Sequence, residues 1–300
     1  MTVNKEATKA DVDEEPEGPE DDKPMSFWDH LDELRKRVTR SLVVLLVTTL
    51  VAWQYSEELF KIASKPFCDA WVAESLEGTC ELNFAAPQDG FTAYFNLSLM
   101  VGILAGAPYL FYQLWSFIAP GLYAKEKRYV IPFVTISSVL FGCGMWFGFS
   151  VAFPFTFGYF LSFAGNIGDT VKISPEVMMG DYFSFVLKVL LGFGLIFEIP
   201  VVFSFLAMIG VVTHRKLIRW ARYYIFGAFL VAAVLTPPDW ASQIAMAVPA
   251  CGLYGLSIGL VYMLQKKEAL EAELEDEKAE KLAKEEKERE EAELAKKKKR

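Results

Sequence analysis

The chain has 300 residues, 53% of them hydrophobic and 15% aromatic, and its mean hydropathy of +0.26 exceeds that of a soluble domain with 23% charged residues. Thirty basic against 38 acidic residues give a net charge of −8, with the excess acid in the two ends of the chain, so no basic face for nucleic acid is offered. The only histidines are His30 and His214 and no His-Glu-x-x-His pattern occurs, which argues against an enzyme, a metal centre or a bound cofactor.

Residues 1–25 are rich in Glu, Asp, Pro and Lys without an apolar run, the composition of a disordered acidic extension rather than of a cleavable signal or transit peptide. Ser26 followed by Asp29 resembles a capping box, and Phe27, Leu31, Leu34 and Val38 share one face. This predicts an amphipathic helix lying along the cytoplasmic surface, with Asp32 paired to Lys36 and Glu33 to Arg37. The first span follows from Val38 to Tyr55. A bilayer core of about 30 Å needs roughly 20 apolar residues per helix, and backbone in lipid must satisfy its own hydrogen bonds.

The first outer loop carries Cys68 and Cys80. An oxidising compartment permits a disulfide there, and the spacing leaves its formation open. Cys143 and Cys251 lie in apolar stretches and read as packing residues. The second span runs from Phe91 to Phe117 with a kink at Pro108, the third from Val130 to Phe163, and the fourth from Tyr182 to Ile209. Lys188 and Glu198 lie inside the fourth. An ionisable group at mid-membrane costs at least about 2.5 kcal/mol, so Glu198 reads as functional, while Lys188 is expected to snorkel outward.

The fifth apolar stretch, Tyr223 to Leu235, covers only about 20 Å at 1.5 Å per residue. The sixth, Gln243 to Leu264, follows the turn Leu235-Thr236-Pro237-Pro238-Asp239, and the pair forms a shallow hairpin. Beyond Lys266 the sequence is nearly pure Glu, Lys, Ala and Leu, a solvated helical tail. Basic residues flank alternate connections at Arg35 to Arg40, Lys125 to Arg128, His214 to Arg222 and Lys266 to Lys267. The fold class is therefore an all-α integral membrane protein of six transmembrane helices, N-in/C-in, with the last two helices short. Its organisation is a 1–25 extension, a 26–265 transmembrane domain and a 266–300 charged cytoplasmic tail.

Glu126 is the sole acid of its basic loop. Together with Glu33 it offers two carboxylates on separate cytoplasmic elements, able to accept two guanidinium groups through paired, charge-assisted hydrogen bonds. Four separated segments then carry a resemblance. They are His30 to Arg37, the Phe117 to Arg128 loop with Ala119-Pro120-Gly121-Leu122-Tyr123, Phe197-Glu198-Ile199-Pro200, and Leu235 to Asp239 leading to Ser242-Gln243.

On these residues the chain resembles the TatC family, the multispanning receptor subunits of the twin-arginine protein translocase. The resemblance implies export of folded proteins driven by the proton-motive force. It implies a signal-peptide site of Glu33 and Glu126, shaped by Arg35, Phe117, Pro120, Leu122 and Tyr123. It also implies intramembrane partner or signal-peptide contacts at Glu198, Asp239, Gln243 and Pro66, the last at the start of the first outer loop. Implied partners are twin-arginine signal peptides, TatA- and TatB-like single-span proteins and further copies of the chain in a receptor complex. The absence of a transit peptide points to a prokaryotic plasma (inner) membrane. The acidic extension, Lys188, the Cys68 and Cys80 pair and the long tail depart from the family pattern. The competing reading is a six-helix ion- or proton-coupled transporter or channel using Glu198, although no internal repeat supports it.

Overall fold

A computed structural model describes residues 27–76, 78–118, 130–167 and 171–298 of the protein. The acidic extension, Ser26, Pro120, Leu122, Tyr123 and Glu126 lie outside the described residues. The first helix, α1, runs from Phe27 to Trp53, and no Gly or Pro interrupts it. The segment expected to lie separately along the membrane surface is thus the first part of the spanning helix itself. With its hydrogen-bond ladder unbroken, about 40 Å of continuous rod results at 1.5 Å per residue.

After residues 54–55 the chain bends by 84° into α2, Ser56–Ala73. Pro66 is therefore buried within a helix, not at the start of a loop. Buried Ala63, Pro66, Phe67, Ala70 and Trp71 recur at the helical period, and this stripe is what packs α2 against the later elements. Cys68 of α2 is disulfide-bonded to Cys80. Two residues on, β1 (Leu82–Asn83) pairs in parallel with β4 (Val177–Met178), while β2 (Gly165–Ile167) and β3 (Val171–Ile173) form an antiparallel ladder between them in sequence.

The helix α3 spans Asp89–Ile118 with Pro108 inside it. Next comes α4, Val130–Phe147, which passes through one π-helical turn at Gly148–Ala152 into α5, Phe153–Leu161. The wide turn holds Ser150, the residue whose carbonyl the ring of Pro154 would crowd in a regular helix, and so accommodates that proline without ending the span. A similar break divides α6 (Met179–Phe197) from α7 (Ile199–Met208) at Glu198, two residues before Pro200.

The helix α8 begins at His214 and ends at Leu235, with Thr213 accepting a hydrogen bond from the Lys216 amide as its N-cap. Arg215, Lys216, Arg219 and Arg222 thus sit on the helix rather than in a connecting loop, and the apolar part still starts at Tyr223. Finally, α9 runs from Trp240 through Pro249 to Lys298, joining the last span and the charged tail in one helix. Among the described residues, five spans meet the length and hydropathy of a membrane helix, and α1 with α2 passes as a bent sixth.

Packing proceeds across an open row. The helix α1 lies on α3; α3 also meets α4 and α6; α4 packs on α6; α9 receives α7 and α8. The α6–α7 span is the most enclosed and α8 the least. Lipid tails are as apolar as leucine, so helix association rests on close fit and polar links rather than on the hydrophobic effect. Glycines supply that fit. A Cβ on Gly102 would stand 2.5 Å from Thr49 Oγ1 and 2.8 Å from Thr49 Cα, and Gly106, four residues on, faces Thr48. Likewise a Cβ on Gly144 would meet the Phe193 carbonyl oxygen at 2.5 Å, and one on Gly194 the Phe141 ring at 2.5 Å. Cys143, beside this seam, points outward and is exposed rather than packed, because the α4 face that meets α6 is taken by Gly144.

Gly102→Leu is expected to lower the thermal unfolding midpoint of the detergent-purified protein, in keeping with the roughly 1–3 kcal/mol that overpacking costs. Gly252→Leu, at a position with nothing within 4 Å of an added Cβ, should leave the midpoint within the error of the same measurement.

Candidate functional site

The first turns of α1 and the last turns of α3 meet. The ring of His30 stacks on Phe117 with centroids 4.4 Å apart and planes 19° from parallel. One helical turn later, Glu33 Oε1 accepts hydrogen bonds from Arg37 Nε at 2.9 Å and Nη2 at 2.5 Å. The third nitrogen of that guanidinium, Nη1, donates to Gln113 Oε1 on α3 at 3.3 Å. The Glu33–Arg37 pair follows from i to i+4 spacing, whereas Asp32 and Lys36 form no corresponding ion pair. The link to Gln113, a buried amide in an otherwise apolar stretch, depends on the α1–α3 contact.

This arrangement leaves half of the Glu33 carboxylate uncommitted. Oε2 is buried and has no hydrogen-bond partner among the described residues. A carboxylate has about four lone-pair sites, so a further cationic donor can bind Oε2 while Arg37 keeps Oε1. Arg35 does not share this face: two residues from Glu33, it lies about 200° around the helix and is exposed.

A second polar centre lies deeper. Glu198 is 7% exposed, held at the α6–α7 break where its own N–H donates to Leu195 O at 3.1 Å and its carbonyl accepts from Val202 N at 3.0 Å. Its Oε1 has no partner among the described residues, and the Ser137 hydroxyl of α4 is a polar group its carboxyl meets. Ser137 in turn accepts a hydrogen bond from Trp115 Nε1 at 3.1 Å. Around it, Trp115 packs on Phe133 and Phe205 with centroids at 4.8 Å and 5.0 Å. A buried carboxyl so lightly compensated is energetically expensive in a membrane, and its position at an interrupted helix turns it away from the regular ladder.

The last turns of α3 connect the two centres. Gln113 reaches the Glu33–Arg37 pair, Trp115 reaches Ser137 beside Glu198, and Phe117 reaches His30. None of Gln113, Trp115, Ser137 and His30 stands out as a site residue in the sequence. For Gln113, Trp115 and Ser137 the one signal was polarity within apolar runs, and for His30 its place in a motif segment, neither of which says without a fold what they touch. Ile118 and Val130, on either side of the undescribed segment, both pack against the cluster of Trp115, Val201 and Phe205. Glu126, Pro120, Leu122 and Tyr123 belong to that segment and lie outside the described residues.

The remaining residues of interest sit away from these two centres. Asp239 caps α9: its Oδ1 accepts from Ser242 N at 2.8 Å, and its Oδ2 from the Ser242 hydroxyl. Gln243 Nε2 donates to Phe229 O of α8 at 3.1 Å, tying the hairpin together. Pro66 lines a cleft of about 560 Å³ between α2 and the π-turn, together with Lys65, Asp69, Glu74 and Pro154. Lys188 is exposed on α6, about 15 Å along the axis from Glu198. Among the described residues no three His, Cys, Asp or Glu side chains gather for a metal ion.

Comparison with known proteins agrees with this layout. Residues 29–249 match the family model described as Sec-independent protein translocase protein (TatC). The chain is 39% identical over 248 residues to the Sec-independent protein translocase protein TatC of Desulforapulum autotrophicum, covering 82% of this chain and 88% of that one. It is 38% identical over 235 residues to the TatC of Helicobacter pylori strain J99, covering 78% and 88% respectively. A crystal structure described as the twin arginine translocase receptor TatC superposes with a TM-score of 0.67 at 32% identity, over 78% of this chain and 98% of the other.

Trp115→Phe keeps the ring packing and removes the donor to Ser137. The expected result is a modest loss of stability, about 1 kcal/mol for one buried hydrogen bond, read as a lower unfolding midpoint in detergent, with Trp115→Ala falling much further because it also empties the cluster.

Proposed function

The chain belongs to the TatC family and is a multi-pass membrane subunit of the twin-arginine protein translocase, and on that premise we propose that it is the receptor that binds paired-arginine signal peptides at Glu33. The observation that carries this reading is the uncommitted, buried Oε2 of Glu33, flanked by the His30–Phe117 stack and braced on its other oxygen by Arg37. An arginine of the peptide binds Oε2 through a charge-assisted hydrogen bond, and the exchange needs no rearrangement of Arg37. Lysine is a poorer substitute, since an ammonium lacks the planar fork that guanidinium offers a carboxylate.

In this proposal Glu126 takes the second arginine, with Pro120, Leu122 and Tyr123 shaping the surface beside it and Arg35 steering from the exposed face of α1. The basic ends of the helices lie in the cytoplasm of a prokaryotic inner membrane, with both termini on that side. Glu198 contacts the signal peptide or a single-span partner helix from within the bilayer. Asp239 and Gln243 set the angle of the α8–α9 hairpin against such a partner, and Pro66 shapes the opposite face. The partners are TatA- and TatB-like single-span proteins and further copies of this chain, and the proton-motive force drives transport of folded cargo. Membership of a translocase family disfavours the small-solute transporter reading, in which Glu198 would act alone.

Site-specific photo-crosslinking of a twin-arginine signal peptide to membranes containing the protein tests the reading. Crosslinks to the α1–α3 end are expected, with strong loss in Glu33→Ala and in Glu126→Ala and with a twin-lysine peptide. Crosslinking that persists in Glu33→Ala, or that ignores the arginines, would overturn the assignment of this site.

A further inference from the structure

A second built feature lies on the same side of the molecule, away from Glu33. Between α7, α8 and α9 is a cleft of about 410 Å³ lined by Phe203, Trp220, Tyr223, Tyr224 and Tyr254. Its back wall is rigid. Tyr224 and Tyr254 stack with centroids 4.0 Å apart and planes at 11°; the Tyr254 hydroxyl donates to Leu217 O at 2.7 Å and the Tyr224 hydroxyl to Ala250 O at 3.2 Å. Phe203 closes one side, edge-on to Tyr254. The front wall is open: Trp220 and Tyr223 are 51% and 63% exposed, and their indole N–H and hydroxyl make no hydrogen bond among the described residues.

Cations border this cleft along one line. Arg215, Arg219 and Arg222 are exposed and recur at i, i+4 and i+7, which places them on a single face of α8 next to the face of Trp220 and Tyr223. The Arg222 guanidinium stands over the Tyr223 ring at 4.8 Å from its centroid. Depth agrees with this arrangement. The apolar part of α8, Tyr223 to Leu235, covers only about 20 Å of a hydrocarbon core of about 30 Å. Headgroups on the basic side must therefore reach down to Arg222, where the aromatic cleft opens. An aromatic slot beside arginines at the polar boundary is complementary to an amphiphile with a negative headgroup, and basic pockets between membrane helices hold such headgroups.

We propose that this cleft binds one anionic phospholipid of the leaflet that holds the basic helix ends, its phosphate on Arg219 and Arg222 and an acyl chain against Phe203, Trp220 and Tyr223. The unpaired donors of Trp220 and Tyr223 face the phosphate and ester oxygens. A soluble phosphate has nothing to fill the aromatic slot, and an apolar helix has nothing to answer the arginines. The inference rests on the membrane-spanning reading of α8 and is independent of the signal-peptide site.

The test uses the full chain in detergent, offered equal amounts of phosphatidylglycerol and phosphatidylcholine with identical acyl chains, with retained lipid read by native mass spectrometry. One phosphatidylglycerol is expected to be retained in preference, and the preference should fall by about tenfold or more in the Arg219→Gln, Arg222→Gln double variant, as expected for two basic contacts. Trp220→Ala should weaken retention of both lipids. Should circular dichroism show the double variant misfolded, raising the salt on the native protein gives the same reading, because screening lowers a preference held by exposed arginines. Equal retention of the two lipids, a preference unchanged by substitution or salt, displacement by inorganic phosphate alone, or a lipid-free dimer indifferent to the arginines would each overturn the proposal.

Discussion

Close approach of helix backbones is the constraint on which this protein depends. Within a bilayer the lipid solvates apolar side chains as well as a neighbouring helix does, so contact must be won by shape and by polar links. Gly102 and Gly106 let α1 lie against α3 with Thr49 and Thr48 in the space a side chain would fill. Gly144 and Gly194 do the same reciprocally for α4 and α6, each receiving a phenylalanine of the other helix. The first seam places α3 on α1, and α3 also meets α2 and the α4 and α6 that the second seam joins.

Once α3 is fixed, its final turns organise the polar interior. Gln113 holds the free arm of Arg37 and thereby the orientation of Glu33; Trp115 holds Ser137, which faces Glu198; Phe117 covers His30. Three residues on one short stretch thus connect a carboxylate at the membrane boundary with another in its interior. Each acid keeps one oxygen without a partner among the described residues. Leaving a buried carboxylate oxygen unsatisfied costs stability.

The opposite end of the molecule follows different rules. There α2 turns by 84° from α1 and lies on α5 and α3 through its apolar stripe, tied by the Cys68–Cys80 bond and by the Tyr182 hydroxyl donating to Ala63 O at 2.8 Å. The parallel pairing of β1 with β4 draws the segment after α2 to the start of α6. This end uses a disulfide, short strands and aromatic packing where the spans use glycine seams. The hairpin of α8 and α9 is intermediate: Asp239 caps it, Gln243 bridges it, and its aromatic cleft opens where its basic turns meet its short apolar stretch.

Much of this was legible in the chain itself. Hydropathy located the spans from Phe91 onward, Pro200 marked the break beside Glu198, the spacing of Glu33 and Arg37 gave their pair, and four motif segments gave the family. These features depend on a few neighbouring residues and on the rise and period of a helix, which any sequence displays directly. The helical character of the segment after the first span was obscured by Pro66 and by its lysines and acids. The contacts that link the surroundings of the two acids to α3 were hidden for a different reason. Arg37 and Gln113 are separated by 76 residues and Trp115 and Ser137 by 22, and such contacts exist only after particular helix faces have met. The sequence by itself determined where the apolar helices from Phe91 onward run and where basic residues gather along the chain. Only the tertiary structure decided which side chains share a site, because the choice of faces is made by the glycine seams and not by the local period.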